Sequence, residues 1–482
     1  MNRFIYLFLF IFQVALFVLV GNDPFFGDSI SSTVRAASNI YNNNLQSIFY
    51  PLQHDPGHPT LYAWLLAACW LLFGKSLLVA HAFACLWAFI TGCIFISLSK
   101  HLLSPFMQWC AIFMLCCFAT YISQSAMMLN TMAFMGMVLL AFKGFVQKQK
   151  VWQITGLILM MCLHTQSVFF LIGFFIAFVI EKLIIQKQEL KVLVKQSLPL
   201  FALPALVYIA WLLLHMQHSG WAVQSPNYSD AKEVNLSTTF FKSFLISCWR
   251  LLDYGMLPVY MLLLCLWLFR KKPYQPAFFY FSVLLLVNMV CISLFLKNTI
   301  GHRYFLVLHM IAFLLLSFQL QTLVRKWKYA IIVLCLFAIL AGNFLYYPGK
   351  TLGDATLAYR SYFELEKTVS HDLVDTVPVY SYAPVANEPE MKSLNSDALR
   401  IQRITQAQLD NYPAVLVSNV NAEFTSQQLA VLQTWPGNSY EQGVVHITVY
   451  YNPRYFNARP EWKLRTESPA EVWMKEMKNR FK

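Results

Sequence analysis

The sequence predicts an all-α polytopic membrane protein with a small α/β domain at its C-terminal end, and three observations predict it. Of the 482 residues, 58% are hydrophobic and only 12% are charged, against about 25% charged in an ordinary soluble domain. The apolar residues gather in runs close to the roughly 20 residues that cross a bilayer. Short basic clusters separate those runs, at Lys143/Lys148/Lys150, Lys182/Lys187/Lys191/Lys195, Arg270/Lys271/Lys272 and Arg325/Lys326/Lys328. So few charges could not coat a soluble enzyme, and the hydrophobicity excludes disorder. The net charge of +13 therefore reads as cytoplasmic loops under the positive-inside rule and not as a nucleic-acid surface. The 11 cysteines lie in or beside apolar runs, none of them after residue 346, and read as small membrane apolars.

The first span is 4–20, too apolar and too poor in preceding charge for a cleaved signal, and Gly21-Asn22-Asp23 is a poor cleavage site. A polar stretch, 21–59, follows and lies outside if the chain starts inside. For the cluster at Lys143 to fall inside, the run 60–98 crosses once. Residues 60–73 then lie along the outer interface, and 76–98 cross after the break at Phe73-Gly74-Lys75. Further spans read as 106–122, 131–146, 198–216, 252–269, 277–295, 304–324 and 329–345. The run 151–180, basic at both ends, enters and returns as two short helices with His164-Thr165-Gln166 at the tip. About eleven crossings result. They divide the chain into a membrane domain, 1–345, and an extracytoplasmic domain, 346–482. In the latter, 377–382, 414–419 and 444–451 read as strands, and 357–370 and 426–433 as helices.

The chemistry concentrates in the first outer loop, where three acids and two histidines stand at the membrane surface: Asp23, Asp28, Asp55, His54 and His58. Acids beside histidines bind metal or work as base and acid. Asp28 also suits the N-cap of a helix beginning at Ser29, and Pro56-Gly57 and His58-Pro59 also suit a plain turn. Arg250 and Asp253, three apart, fit an ordinary helical ion pair.

Three motifs, in this order, resemble the glycosyltransferase C (GT-C) superfamily, in particular its protein O-mannosyltransferase and lipid A aminoarabinose transferase branch. They are Gly27-Asp28-Ser29, His58-Pro59-Thr60-Leu61-Tyr62 and Leu72-Phe73-Gly74-Lys75-Ser76; Gly301-His302-Arg303-Tyr304-Phe305-Leu306 is similar to the Arg-Tyr motif opening a late span in bacterial members. The resemblance covers roughly residues 1–345. It implies a GT-C-like fold and transfer of a sugar from a polyprenyl-phosphate donor to a glycan, lipid or protein acceptor. It implies Asp28 as base, with Asp55 as a second candidate acid. His58, Lys75, His164, His302, Arg303 and Tyr304 are the candidate substrate-binding residues, since cations stabilise a departing phosphate. Ser29 stands where the family carries a second acid, and Asn130 where members often carry Asp. Both departures weigh against a divalent metal held by carboxylates, which the acids of the first loop otherwise allow, and no other cofactor is expected. The implied setting is a bacterial inner membrane with the C-terminal domain in the periplasm. Two other classes fit the composition: a transporter or flippase, and a non-catalytic envelope-assembly protein of the same fold.

Overall fold

The computed structural model describes residues 2–27, 29–50, 52, 55–222, 238–269, 275–296, 301–347, 352–372, 377–381, 401–404, 408–420 and 424–458. The chain divides into two compact units, one of residues 1–346 with 354–357, the other of 347–353 with 358–482.

The first unit is helical. Its helices are α1 (Asn2–Val20), α2 (Arg35–Asn42), α3 (Leu61–Phe73), α4 (Leu77–Leu102), α5 (Pro105–Cys117), α6 (Ala119–Ala126), α7 (Thr131–Val146) and α8 (Lys150–Met161). They continue with α9 (Ser167–Ile180), α10 (Leu190–Ser197), α11 (Leu203–Ser219), α12 (Thr238–Leu252), α13 (Leu257–Phe269), α14 (Pro276–Phe295), α15 (Leu306–Leu320) and α16 (Arg325–Gly342). Nearly every residue of α7 and α15 is buried, so these two form the centre. On α1, α11 and α16, large apolar side chains such as Phe10, Leu213 and Phe337 face outward. Such surface is stable only where the solvent is lipid, and this is an integral membrane protein.

Local chemistry sets the breaks. Gly74, at φ 89°, closes α3, and Ser76 Oγ accepts the Val79 N–H at 3.2 Å to open α4, a glycine stop followed by a serine cap. The expected spans 106–122 and 252–269 are not single helices. The first bends by 64° between α5 and α6, where Asn343 Nδ2 donates to the Cys117 carbonyl at 2.8 Å. The second begins only at Leu257, because α12 and α13 meet at 94° through Tyr254 and Gly255, both at positive φ. Gly255 lies against the backbone of Ala338 on α16 so closely that a Cβ would collide with it. Gly144 and Gly156 likewise let α7 and α8 touch backbone to backbone, as small residues do in membrane helix pairs.

By length and composition, six helices among the described residues can cross a membrane, or eight if each bent pair is one span. The expected eleven is reached only by adding three more. Two are α7, of 16 residues, and α8, of 12, shorter than the roughly 20 that span the hydrocarbon. The third is α16, which opens on Arg325, Lys326 and Lys328.

The second unit carries α17 (Arg360–Asp372) and strands β1 (Val379–Ser381), β2 (Ile401–Arg403), β3 (Ala414–Ser418), β4 (Gly437–Gln442) and β5 (Val445–Tyr451). Their order is β2-β1-β3-β5-β4. β1 pairs parallel with β2 and β3, and β5 pairs antiparallel with β3 and β4. Along β5, Val445, Ile447, Val449 and Tyr451 are buried in strict alternation, the period of a strand with one face packed.

Helix α17 packs on β4 and β5 and buries Glu366 with Tyr362, Phe363 and Val369. Burial holds the Glu366 carboxyl well above the usual carboxylate range. The folded unit therefore keeps a proton that the unfolded chain releases near pH 4.5, and stability falls as pH rises from there toward the folded value. Hydrogen-exchange protection of α17, normalised for intrinsic rate, is expected to drop between pH 5 and pH 8. In Glu366→Gln it is expected to stay level; a matching drop in that variant would remove Glu366 as the cause.

Candidate functional site

The first loop is pinned to one end of the bundle. His81, at the start of α4, lies with Nε2 3.0 Å from the Asp23 carbonyl and Nδ1 3.1 Å from the Ala126 carbonyl. The start of the loop and the end of α6 are thus tied to the same imidazole. Asp28 and His54 lie outside the described residues.

Asp55 is fully buried, and it meets a residue the sequence does not single out. Its Oδ1 accepts the Gly57 N–H at 2.8 Å, and its Oδ2 lies 2.8 Å from His215 Nε2 on α11. His215 is itself 1% exposed and sits between Trp211, stacked at 5.0 Å, and Trp221, edge-on at 4.6 Å. One carboxylate therefore shapes the Pro56-Gly57 turn and anchors it to a helix. His215 could have been flagged as an ionisable residue embedded in an apolar run, which is costly unless partnered.

A second cluster joins His58, His164 and Tyr304. Thr165 Oγ1 lies 2.8 Å from His58 Nδ1, and the His58 and His164 rings stack at 4.5 Å. Gln166 donates from its side chain to the Tyr304 carbonyl at 3.0 Å, and its backbone N–H donates to His164 Nδ1. Accepting at Nδ1 leaves His164 a neutral imidazole, so it offers a hydrogen bond rather than a positive charge. Asn130, at the start of α7, donates to the Leu163 carbonyl at 2.6 Å. That bond holds the α8–α9 tip in place, which accounts for an amide at this position.

The third cluster is the 3-10 turn His302–Phe305 that leads into α15. Arg303 Nη1 donates to Asp354 Oδ2 at 2.6 Å, and the same carboxylate oxygen accepts from Gln124 Nε2 at 3.2 Å. His302 Nε2 lies 2.9 Å from Asp253 Oδ2, while Arg250 Nη1 lies 3.2 Å from the same Nε2 and 3.4 Å from Nδ1. Asp253 and Arg250 thus converge on His302 rather than forming a plain i,i+3 pair. The positive charge here belongs to Arg250, which His302 meets, and to Arg303, which Asp354 holds. Lys75 stands apart from this turn, over the rings of Tyr41 and Trp70 at 5.5 and 5.4 Å, at the α3–α4 break.

An apolar cavity of about 400 Å³ opens at the same end, lined by Ile48, Pro59, Leu61, Trp64, Val207 and Trp211 among others. Trp211, which stacks on His215, forms the wall between this cavity and the Asp55 pair. Among the described residues no group of three or more His, Cys, Asp or Glu could hold a metal ion.

A helical bundle of this order, with its polar clusters gathered at the end where the first loop packs, belongs to an integral membrane protein, and its fold is one already seen in a solved structure. The chain is similar to the solved structure of ArnT from Cupriavidus metallidurans bound to undecaprenyl phosphate, with a TM-score of 0.56 at 11% identity, over 93% of this chain and 98% of that one. The apo state of the same protein matches with a TM-score of 0.57 at 10% identity and the same coverage. At such identity the likeness establishes the fold. No family model and no curated protein matches the sequence.

Proposed function

We propose that the protein is a membrane glycosyltransferase that moves a sugar from a polyprenyl-phosphate donor to a glycan, lipid or protein acceptor at the outer face of a bacterial inner membrane. One observation carries the reading: an apolar cavity fit for an isoprenoid tail is walled by Trp211, which stacks on the His215 of the Asp55 pair, and by Pro59, which follows His58. The similar fold of a protein solved with undecaprenyl phosphate supports it. The basic clusters at the opposite end of the bundle support an outer location for this one.

In the proposed reaction the acceptor hydroxyl attacks the anomeric carbon. The bond to the acceptor oxygen forms as the bond to the phosphate oxygen breaks, the electron pair leaves with the polyprenyl phosphate, and the hydroxyl proton passes to Asp28. Arg303 takes the charge that grows on the phosphate. A guanidinium presents five donors in a planar fork suited to phosphate oxygens, so Arg303 can meet a donor while still bonded to Asp354. His58, His164 and Tyr304 line the approach, and no metal is assigned a role.

Cells lacking the protein are expected to accumulate a polyprenyl-phosphate monosaccharide while one envelope glycan loses a residue, both read by mass spectrometry. Arg303→Gln is expected to lower transfer by roughly 10²–10³-fold, the range for losing one preorganised donor to a developing anion, and Arg303→Lys to fall between. Unchanged lipid-linked sugars on deletion would sink the reading. Ion-driven substrate uptake in vesicles, indifferent to Arg303→Gln, would mark a transporter instead.

A further inference from the structure

A second cavity, of about 630 Å³, lies at the opposite end of the helical unit. The first site is built at the start of α7 and the end of α8; this one is built at the end of α7, the start of α8, the end of α9 and along α10. Lys148, Lys150, Lys182, Lys191 and Lys195 all line it. The acid in its wall is Glu181, and that carboxylate is already engaged: Tyr280 Oη donates to one oxygen at 2.7 Å and Gln186 Nε2 to the other at 3.0 Å. Lys182 donates to Gln186 Oε1 at 3.0 Å. Among the described residues, no acid forms an ion pair with Lys148, Lys150, Lys191 or Lys195.

Two features of the chain bring these lysines around one hollow. Lys148 takes a positive φ of 57° in the tight turn between α7 and α8, and a π-turn, Glu181–Ile185, carries the end of α9 toward α10. Like charges held around one hollow repel each other, so an anion filling it lowers the energy of the assembly. The rest of the wall includes Val192, Leu200 and Phe178, and outward-facing Val151, Ile184 and Leu198 lie close by in sequence. An apolar rim beside a cationic hollow suits a phosphate carried on an acyl lipid better than a free ion.

The geometry points to a binding site for the phosphodiester headgroup of an anionic phospholipid, held by these lysines at the membrane face opposite the transfer site. A basic pocket between helices at that face is where such headgroups are held in membrane proteins. The inference does not rest on the transferase reading.

The test uses the full-length protein in nanodiscs of phosphatidylcholine with or without phosphatidylglycerol, with retained lipid read by native mass spectrometry. Wild type is expected to hold phosphatidylglycerol in preference to phosphatidylcholine. At about a factor of five per lysine, Lys191→Gln/Lys195→Gln is expected to hold it roughly 25-fold less tightly. Lys191→Arg/Lys195→Arg, which keeps the charge, is expected to match wild type and so separates lost binding from a misfolded bundle. Equal retention by wild type and the Gln pair overturns the site. Inorganic phosphate that displaces the lipid at equal concentration overturns the lipid assignment and leaves a free-phosphate site.

Discussion

Replacing Asp28 by Asn is expected to lower sugar transfer by roughly 10²–10⁴-fold, the contribution of a positioned general base, with donor binding close to wild type. The substitution separates the two roles the sequence leaves open. Asn caps a helix as well as Asp does, so if Asp28 served only to begin the helix that follows it, Asp28→Asn would keep both fold and activity. The amide cannot take a proton from the acceptor hydroxyl, so the base role predicts a collapse in kcat without a matching rise in the KM for the lipid donor. The measurement is transfer from a polyprenyl-phosphate sugar by the purified protein, with its amount and helicity matched to wild type. Activity retained in Asp28→Asn removes this residue from the proton transfer and moves attention to the buried carboxylates. The variant tests one step of the mechanism, while the deletion phenotype tests the reaction class. The two can therefore fail separately.

Much of the membrane part can be read from hydropathy, because burial in lipid demands long apolar runs and little else. The break at Gly74 is legible for the same reason, since a glycine and a capping serine interrupt such a run. The bend between α12 and α13 is not legible. Its cause is a close approach of Gly255 to Ala338, far along the chain, and its residues add too little polarity to mark a turn. Strand β4, reading Gly-Asn-Ser-Tyr-Glu-Gln, lacks the apolar alternation that marks β5, because its place at the sheet edge is fixed by the hairpin with β5 and not by a buried face of its own. The site follows the same rule. Arg303, His58 and Tyr304 sit in short motifs and can be named from them. Their partners come from distant helices: Gln166 is 138 positions from Tyr304 and His215 is 160 positions from Asp55. Pattern along one chain cannot supply pairings set by packing, and for that reason His302 reads from sequence as a cation when its ring in fact links Asp253 to Arg250.

Breaking the Asp55–His215 pair is expected to be the most destabilising change at the candidate site. Both partners are buried, Asp55 wholly and His215 to within 1%, so removing either leaves the other without its counterpart where water cannot replace it. Such a loss typically costs about 3–5 kcal/mol. Asp55→Ala also strips the Gly57 N–H of its acceptor, which loosens the turn carrying His58. Asp55→Asn should cost less, since an amide oxygen can still accept from Gly57 and the imidazole can change tautomer to meet the amide. The double change Asp55→Ala/His215→Ala is expected to cost scarcely more than the worse single change, because the second truncation removes a group already orphaned. Unfolding of the purified protein by denaturant in mixed micelles measures all four corners of that cycle. Strict additivity would mean that the two residues do not depend on each other and that the buried contact contributes nothing of its own. Transfer assays on Asp55→Asn then separate anchoring from catalysis. If Asp55 acts through the turn, activity follows stability and recovers when the protein is stabilised. If the carboxylate handles a proton, activity stays lost in protein that is fully folded.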